Sequence, residues 1–221
     1  EKHEIGLENT KKFFRGRAAR KSSESPYTSI LYQDQNPEIA NDRDVYEKSL
    51  VLPLIKARGP GRVLDIGCGI GRWADAMADA SMIYIGLDFS EDLVEIANKR
   101  HAGSDKTRFE VCDAADVGEH FGDGLLFDTI IISGVLLYLN DDGVSKCFSG
   151  VAHLLASGGT LYIREPLGVD ERLTLDDFWS EELQAGYSAI YRSAEEMAQL
   201  IAAGAGSAFA NPIQFERLYK E

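Results

Sequence analysis

An α/β fold built on a doubly wound, mostly parallel sheet with helices on both faces is predicted by three features of the chain. Short apolar runs of strand length alternate with helical patterns from residue 62 onward. One run, FDTIIIS at 127–133, is apolar nearly throughout, as a strand covered on both faces must be. The glycine-rich turn Gly67-Cys68-Gly69-Ile70-Gly71 separates the first strand pattern from the helix after it. In such sheets ligands bind in the crevice beyond the carboxyl ends of the strands. At 221 residues the chain suits one domain with short additions.

The elements follow in order. The first 25 residues carry seven Lys/Arg and four Asp/Glu, a net +3, and read as a solvated basic tail or, functionally, as a lid. From Asp42 to Ala57 the spacing of Val45, Leu50, Val51, Leu54 and Ile55 predicts an amphipathic helix, ended by Arg58-Gly59-Pro60-Gly61. Strands are predicted at Arg62–Ile66, Ile83–Leu87, Arg108–Cys112, Phe127–Ser133 and Thr160–Arg164. The helices between them are predicted at Arg72–Ala80, Glu91–Arg100 (capped by Ser90) and Ser145–Ala156. Residues 166–193 read as irregular, Ala194–Ala203 as a helix and Ile213–Tyr219 as a final strand. Right-handed crossovers then make the sheet parallel. The expected division is 1–57 as an N-terminal lid and lead-in helix, and 58–221 as the main domain with an insert at about 166–193.

Composition excludes several classes. Lys plus Arg is 23 against 36 Asp plus Glu, a net charge of −13, which repels a phosphate backbone and argues against nucleic acid as a partner. No apolar run reaches the roughly 18 residues of a membrane helix, and the N-terminal residues lack the apolar core of a secretory signal. Three scattered cysteines, Cys68, Cys112 and Cys147, without a CxxC pair, argue against a disulfide framework and structural zinc. A cytoplasmic location and no metal are the expectations. The oligomeric state stays open.

The chemistry concentrates at strand ends. Glycines at 67, 69 and 71 let the backbone adopt positive φ and let a ligand approach without meeting a Cβ. Asp88 ends the second strand, where a carboxylate can accept hydrogen bonds from a ribose diol. Asp113 ends the third, where one can accept from an adenine amine. Each also has a plain reading as a turn or cap residue. The loop reads G-x-G-x-G, not the G-x-G-x-x-G of dinucleotide sites. Asp65, two residues before the first glycine, would repel a pyrophosphate but not an amino acid moiety. A nicotinamide-dependent oxidoreductase is therefore the weaker reading.

The motif VLDIGCGIG, followed in order by Asp88-Phe89-Ser90, Cys112-Asp113-Ala114 and FDTIIISGVLLYL, resembles the class I S-adenosylmethionine-dependent methyltransferases over about residues 60–165. The resemblance implies a Rossmann-like sheet closed by an antiparallel hairpin, which Ile213–Tyr219 would supply. It implies S-adenosyl-L-methionine as cofactor and S-adenosyl-L-homocysteine as product. It places Asp65, Gly67, Cys68, Gly69, Gly71 and Arg72 around the methionine part. Asp88, with Phe89 and Ser90, falls at the ribose, Asp113 and Ala114 at the adenine, and Ser133, Gly134 and Val135 on the sulfonium side.

Acceptor residues are sought beside that loop. Tyr138 and Asp141 follow the fourth strand and Glu165 ends the fifth; these are the candidates for contacting the acceptor or taking its proton. Each has a structural alternative: packing for Tyr138, helix capping for Asp141, an ion pair with Arg164 for Glu165. Tyr27, Tyr32, Arg43, Tyr46, Arg164, Tyr187 and Tyr191 are candidates for the substrate wall. His153 and Trp73 read as structural, and Cys68 as a small loop residue rather than a nucleophile. The absence of [ND]-P-P-[YFW] after the fourth strand lowers a DNA acceptor further. The Tyr-rich flanks loosely resemble bacterial methyltransferases of sugars or polysaccharide precursors. The expected acceptor is a small molecule or glycan precursor. A protein or peptide acceptor, or a non-catalytic cofactor-binding module, remain alternatives.

Overall fold

The computed structural model describes residues 3–19, 26–31, 37–57, 59–77, 82–122 and 124–209. Three N-terminal helices, α1 (Leu7–Ala19), α2 (Thr28–Leu31) and α3 (Pro37–Lys56), precede β1 (Arg62–Ile66). Alternation follows: α4 (Arg72–Met77), β2 (Ile83–Asp88), α5 (Glu91–Arg100), β3 (Thr107–Val111), α6 (Val117–His120), β4 (Phe127–Ser133), α7 (Asp141–Leu154) and β5 (Leu155–Arg164). The chain continues through β6 (Leu173–Ser180), β7 (Ala185–Tyr191) and α8 (Ala194–Ala205). Among the described residues the main sheet has five strands in the order β3-β2-β1-β4-β5, all parallel. The doubly wound α/β prediction holds. The order reverses at β1, so the crevice opens beyond the ends of β1 and β4.

Side-chain alternation along the strands builds a core on each face. Leu64, Ile66, Ile85, Leu87, Ile130 and Ile132 pack under α7 and α8, where Val144, Cys147, Phe148 and Val151 recur at helical spacing. Val63, Tyr84 and Ile131 face α3, α4 and α5, meeting Val51, Ile55, Trp73, Met77 and Val94. A third cluster lies over the carboxyl ends of the strands and contains Phe13, Phe14, Ile70, Leu93, Leu137, Tyr138 and Tyr187. Among the described residues no helix is long and apolar enough to cross a membrane.

Five expectations need correction. The basic N-terminal stretch is not a solvated tail over Leu7–Ala19: Thr10, Phe13, Phe14 and Arg17 recur every three or four residues and form a buried stripe. Lys11 and Lys12 stay exposed, so the charge count concealed the stripe.

The lead-in helix starts at Pro37, not Asp42, and buries a different face. Ala40, Asp44, Glu47, Val51 and Ile55 are inside, whereas Val45 and Leu54 are each 66% exposed. Two carboxylates occupy that face because a buried arginine meets them there, as described below.

Residues 166–193 are not irregular. β6 and β7 form a separate antiparallel hairpin with a register break between Leu175 and Phe178, where Asp177 takes φ 51°. Ser188 Oγ accepts from Asp177 N at 2.9 Å and donates to Asp176 Oδ1 at 3.2 Å. This satisfies the bulge that two consecutive aspartates would otherwise leave open. β5 begins at Leu155 rather than Thr160, and α7 spans Asp141–Leu154 rather than Ser145–Ala156. The expected strand at Ile213–Tyr219 lies outside the described residues.

Candidate active site

The glycine turn joins β1 to α4. Gly67 N and Cys68 N both donate to Leu87 O, at 2.7 and 2.9 Å, fastening the turn to β2. Gly67, Gly69 and Gly71 have φ of 75°, 55° and 84°, a region that disfavours residues with a Cβ. A Cβ on Gly67 would lie 2.2 Å from Val135 Cγ2, so the turn and the loop after β4 can approach only because this residue has no side chain.

Asp88 ends β2, fully buried. Its Oδ2 accepts from Gly69 N and its Oδ1 from Ser90 N, both at 2.9 Å. Burial, opposed by those two bonds, pushes its carboxyl up to about 6. Each oxygen retains a lone pair for a ligand. Asp113 Oδ1 accepts from Ala115 N at 3.0 Å. Asp65 accepts from the Tyr84 hydroxyl, and burial pushes its carboxyl up to about 7 against that bond and the Arg72 charge. Cys68 is buried with its thiol pushed well up by desolvation, unlike a nucleophile.

One cavity of about 1690 Å³ brings these groups together. Asp65, Gly67, Cys68, Gly69, Arg72, Asp88 and Phe89 line it on the glycine-turn side. Asp113, Ala114, Ser133, Gly134 and Val135 line it from the ends of β3 and β4. Gly71 and Ser90 do not. Gly71 packs under Phe109 and His101, and Ser90 caps α5 by accepting from Leu93 N at 3.4 Å.

Of the acceptor candidates, Tyr138, Glu165, Arg43, Tyr46, Arg164, Tyr187 and Tyr191 line the same cavity. The Tyr138, Tyr187 and Tyr191 hydroxyls form a chain with O···O distances of 3.3 and 3.0 Å. Glu165 is occupied by backbone: Oε1 accepts from Val135 N (2.7 Å) and Leu136 N (3.0 Å), and Oε2 from Leu137 N (3.4 Å). Its carboxylate shapes the loop after β4. Asp141 lies away from the cavity and ties down the hairpin, at 3.0 Å from Arg172 and 2.8 Å from Arg192. Tyr27 also lies outside, its hydroxyl donating to Asp75 at 2.5 Å. Tyr32 falls outside the described residues.

The feature sequence reasoning missed is a buried charge network under the cavity floor. Arg72 binds Asp44 at 2.8 Å, Glu47 at 2.9 Å and Ser133 Oγ at 3.1 Å. Glu47, 1% exposed, also takes bonds from Ser133 (3.1 Å), Tyr162 (3.0 Å) and Arg164 Nε (3.4 Å). Burial pushes the Glu47 carboxyl up, but the two guanidiniums and two hydroxyls outweigh it and hold it below its usual value. Arg72 thus ties α3 to the sheet while lining the cavity. The available signal was the spacing of Ala40, Asp44, Glu47, Val51 and Ile55, which puts two carboxylates on an apolar face. α1 and α2 contribute Thr10, Lys11, Phe14 and Ile30 to the cavity wall.

The chain is similar to known proteins. Residues 63–159 match the family model described as "Methyltransferase domain". A phosphoethanolamine N-methyltransferase of Triticum aestivum is 28% identical over 126 residues, covering 57% of this chain and 25% of the relative. The chain thus spans about a quarter of that relative's length. A demethylmenaquinone methyltransferase of Clavibacter sepedonicus is 36% identical over 104 residues, 47% of this chain and 40% of the relative. A Leishmania major S-adenosylmethionine-dependent methyltransferase structure superposes with a TM-score of 0.64 at 18% identity, covering 87% of this chain and 71% of that one.

Proposed function

We propose that this chain, which matches a family model described as "Methyltransferase domain" over residues 63–159, is a class I S-adenosylmethionine-dependent methyltransferase that transfers a methyl group to an oxygen or nitrogen of a small-molecule acceptor. One observation carries the reading. A single cavity joins the glycine turn, Asp88 and Asp113 to a wall made by α1, α3 and the β6–β7 hairpin. At about 1690 Å³ it exceeds the roughly 300–1,000 Å³ of a one-ligand pocket. It has room for a donor and an acceptor side by side.

The residues suit an adenosyl sulfonium. The positive-φ glycines leave backbone open to the cavity, and Asp88 and Asp113 keep lone pairs for the ribose and adenine. S-adenosylmethionine, when bound, supplies a methyl group on a positively charged sulfur that departs as a neutral thioether. The chain supplies placement. Glu165 fixes the backbone of Val135, Leu136 and Leu137, and Ser133 is fixed by Glu47 and Arg72. Methyl transfer needs the acceptor atom roughly 3 Å from the methyl carbon and in line, and such positioning lowers the barrier by several kcal/mol. Tyr138 lines the cavity and is the residue assigned to contacting the acceptor. α1 covers the crevice with Phe14 and excludes water there. Its place on the cavity wall supports reading it as a lid.

Two matched relatives are named for small acceptors, phosphoethanolamine and demethylmenaquinone, which supports this class. Sugars and surface-polysaccharide precursors belong to it, and the tyrosine wall offers them hydroxyl partners. Incubation with methyl-labelled S-adenosylmethionine and a panel of amino alcohols, quinols, sugar nucleotides and peptides tests the reading. Label is expected in a small molecule. Label confined to peptides, or none despite cofactor binding, contradicts it.

A further inference from the structure

Four arginines bear on the cavity or its supporting loop: Arg43 lines it from α3, and of the other three two are fully engaged. Arg72 divides its terminal nitrogens among Asp44, Glu47 and Ser133. Arg192 gives Nη1 to Leu136 O at 2.8 Å, Nη2 to Leu139 O at 2.7 Å, and Nε to Asp141 at 2.9 Å. Arg164 differs. Its Nε meets Glu47 at 3.4 Å, while Nη1 and Nη2 make no hydrogen bond among the described residues. Its side chain is 23% exposed, and the residue lines the cavity.

The fork sits against the loop after β4. A Cβ on Gly134 would come within 3.1 Å of Arg164 Nη1, so the guanidinium occupies space that only a glycine leaves. Gly134 N donates to Arg164 O at 2.7 Å, and Glu165, the adjacent carboxylate, is committed to three backbone N–H groups of the same loop. The other carboxylates of the cavity also have internal donors: Asp65 has Tyr84, Asp88 has Gly69 and Ser90, Asp113 has Ala115. Lys11 and Arg43 add cationic side chains to the same wall. The lining carries four cationic side chains, Lys11, Arg43, Arg72 and Arg164, beside four carboxylates, Asp65, Asp88, Asp113 and Glu165, in a chain of net charge −13.

We infer that Arg164 is the specificity-determining residue for an acceptor that carries an anionic group, a carboxylate or a phosphate, bound through the two free nitrogens of its fork. Two parallel N–H···O bonds to one oxyanion are what a guanidinium with both Nη atoms available provides. Held by Glu47 through Nε, the fork is oriented before the acceptor arrives, which reduces the ordering cost of binding. The anion thereby anchors the acceptor next to Ser133–Val135, with its reacting atom toward Tyr138. The inference rests on the methyltransferase reading and narrows its acceptor.

The test uses the full chain saturated with S-adenosylhomocysteine and titrated at low ionic strength with inorganic phosphate, with acetate, and with acetamide as the uncharged control. Saturable binding of phosphate or acetate, and none of acetamide, is expected; which ion binds tells the two sources apart. Arg164→Gln should weaken that binding tenfold or more while S-adenosylhomocysteine affinity stays within about twofold of wild type. Arg164→Lys keeps a charge but not the fork, should fall between the two, and decides the matter if Arg164→Gln loses the nucleoside site. Absence of saturable ion binding, or equal ion binding by wild type and Arg164→Lys, overturns the inference. Failure of wild type to bind S-adenosylhomocysteine at all strikes the donor reading instead.

Discussion

Glu47→Gln removes one negative charge from the network beneath the cavity while keeping side-chain volume. In the native protein the carboxylate is 1% exposed and serves Arg72, Arg164, Ser133 and Tyr162. Removing one partner of a buried ion pair costs about 3–5 kcal/mol, because the other charge stays buried. Arg72 retains Asp44 at 2.8 Å, and the glutamine carbonyl can still accept, so the loss falls at the low end, about 3 kcal/mol. Urea unfolding should show it as a midpoint lowered by about 1 M with little change in slope. The pH dependence follows from sign. The folded protein holds Glu47 below its ordinary value of 4.5, so its contribution is full above that pH and is lost as the pH falls through the lower folded value. The gap between wild type and variant should therefore narrow in acid. A gap under about 0.5 kcal/mol at neutral pH, or one that does not change in acid, would refute the view that this network binds α3 to the sheet.

Further outcomes follow from the same contacts. Asp65 is the opposite case: burial raises it to about 7, so the stability it contributes is full below its ordinary 3.8 and fades as the pH rises through 7. Asp65→Asn should gain on wild type by up to about 1.4 kcal/mol per pH unit across that interval, seen in unfolding curves at stepped pH; parallel profiles would contradict it. Gly67→Ala places a Cβ 2.2 Å from Val135 Cγ2 at φ 75° and should cost about 1–3 kcal/mol and abolish nucleoside binding, measured by melting and calorimetry. Asp141→Ala leaves the buried Arg192 without its carboxylate. Hydrogen exchange should quicken in residues 173–191 while β1 and β4 stay protected, and uniform quickening would count against a locally tethered hairpin.

The sheet was legible because its signals are local. VLDIGCGIG, IYIGLD and FDTIIIS each carry their strand in a few consecutive residues, and β1 to β4 begin and end within a residue of expectation. The grouping of Asp65, Asp88, Asp113 and Ser133 around one cavity follows from parallel strands sharing a carboxyl edge. What stayed hidden depends on partners distant in sequence. The inward face of α3 is set by Arg72, some 28 residues beyond Asp44. The hairpin needs Ser188 to complete a bulge at Asp177, and Arg172 and Arg192 to meet Asp141. α1 folds because the aromatic cluster receives Phe13 and Phe14, although its composition suggests a tail. Glu165 and Asp141 were singled out because a carboxylate that follows a strand reads alike whether it meets substrate, the N–H groups of a neighbouring loop, as Glu165 does, or a pair of arginines, as Asp141 does.

Calorimetric titration with S-adenosylhomocysteine, and separately with NADH, bears most directly on the claim that the glycine turn and its aspartates form an adenosyl site. Saturable heat is expected with the former and none with the latter. Asp88→Ala should weaken that binding by about 1–3 kcal/mol through lost hydrogen bonds to the ribose. Binding of NADH without S-adenosylhomocysteine, or affinity indifferent to Asp88, would contradict the account.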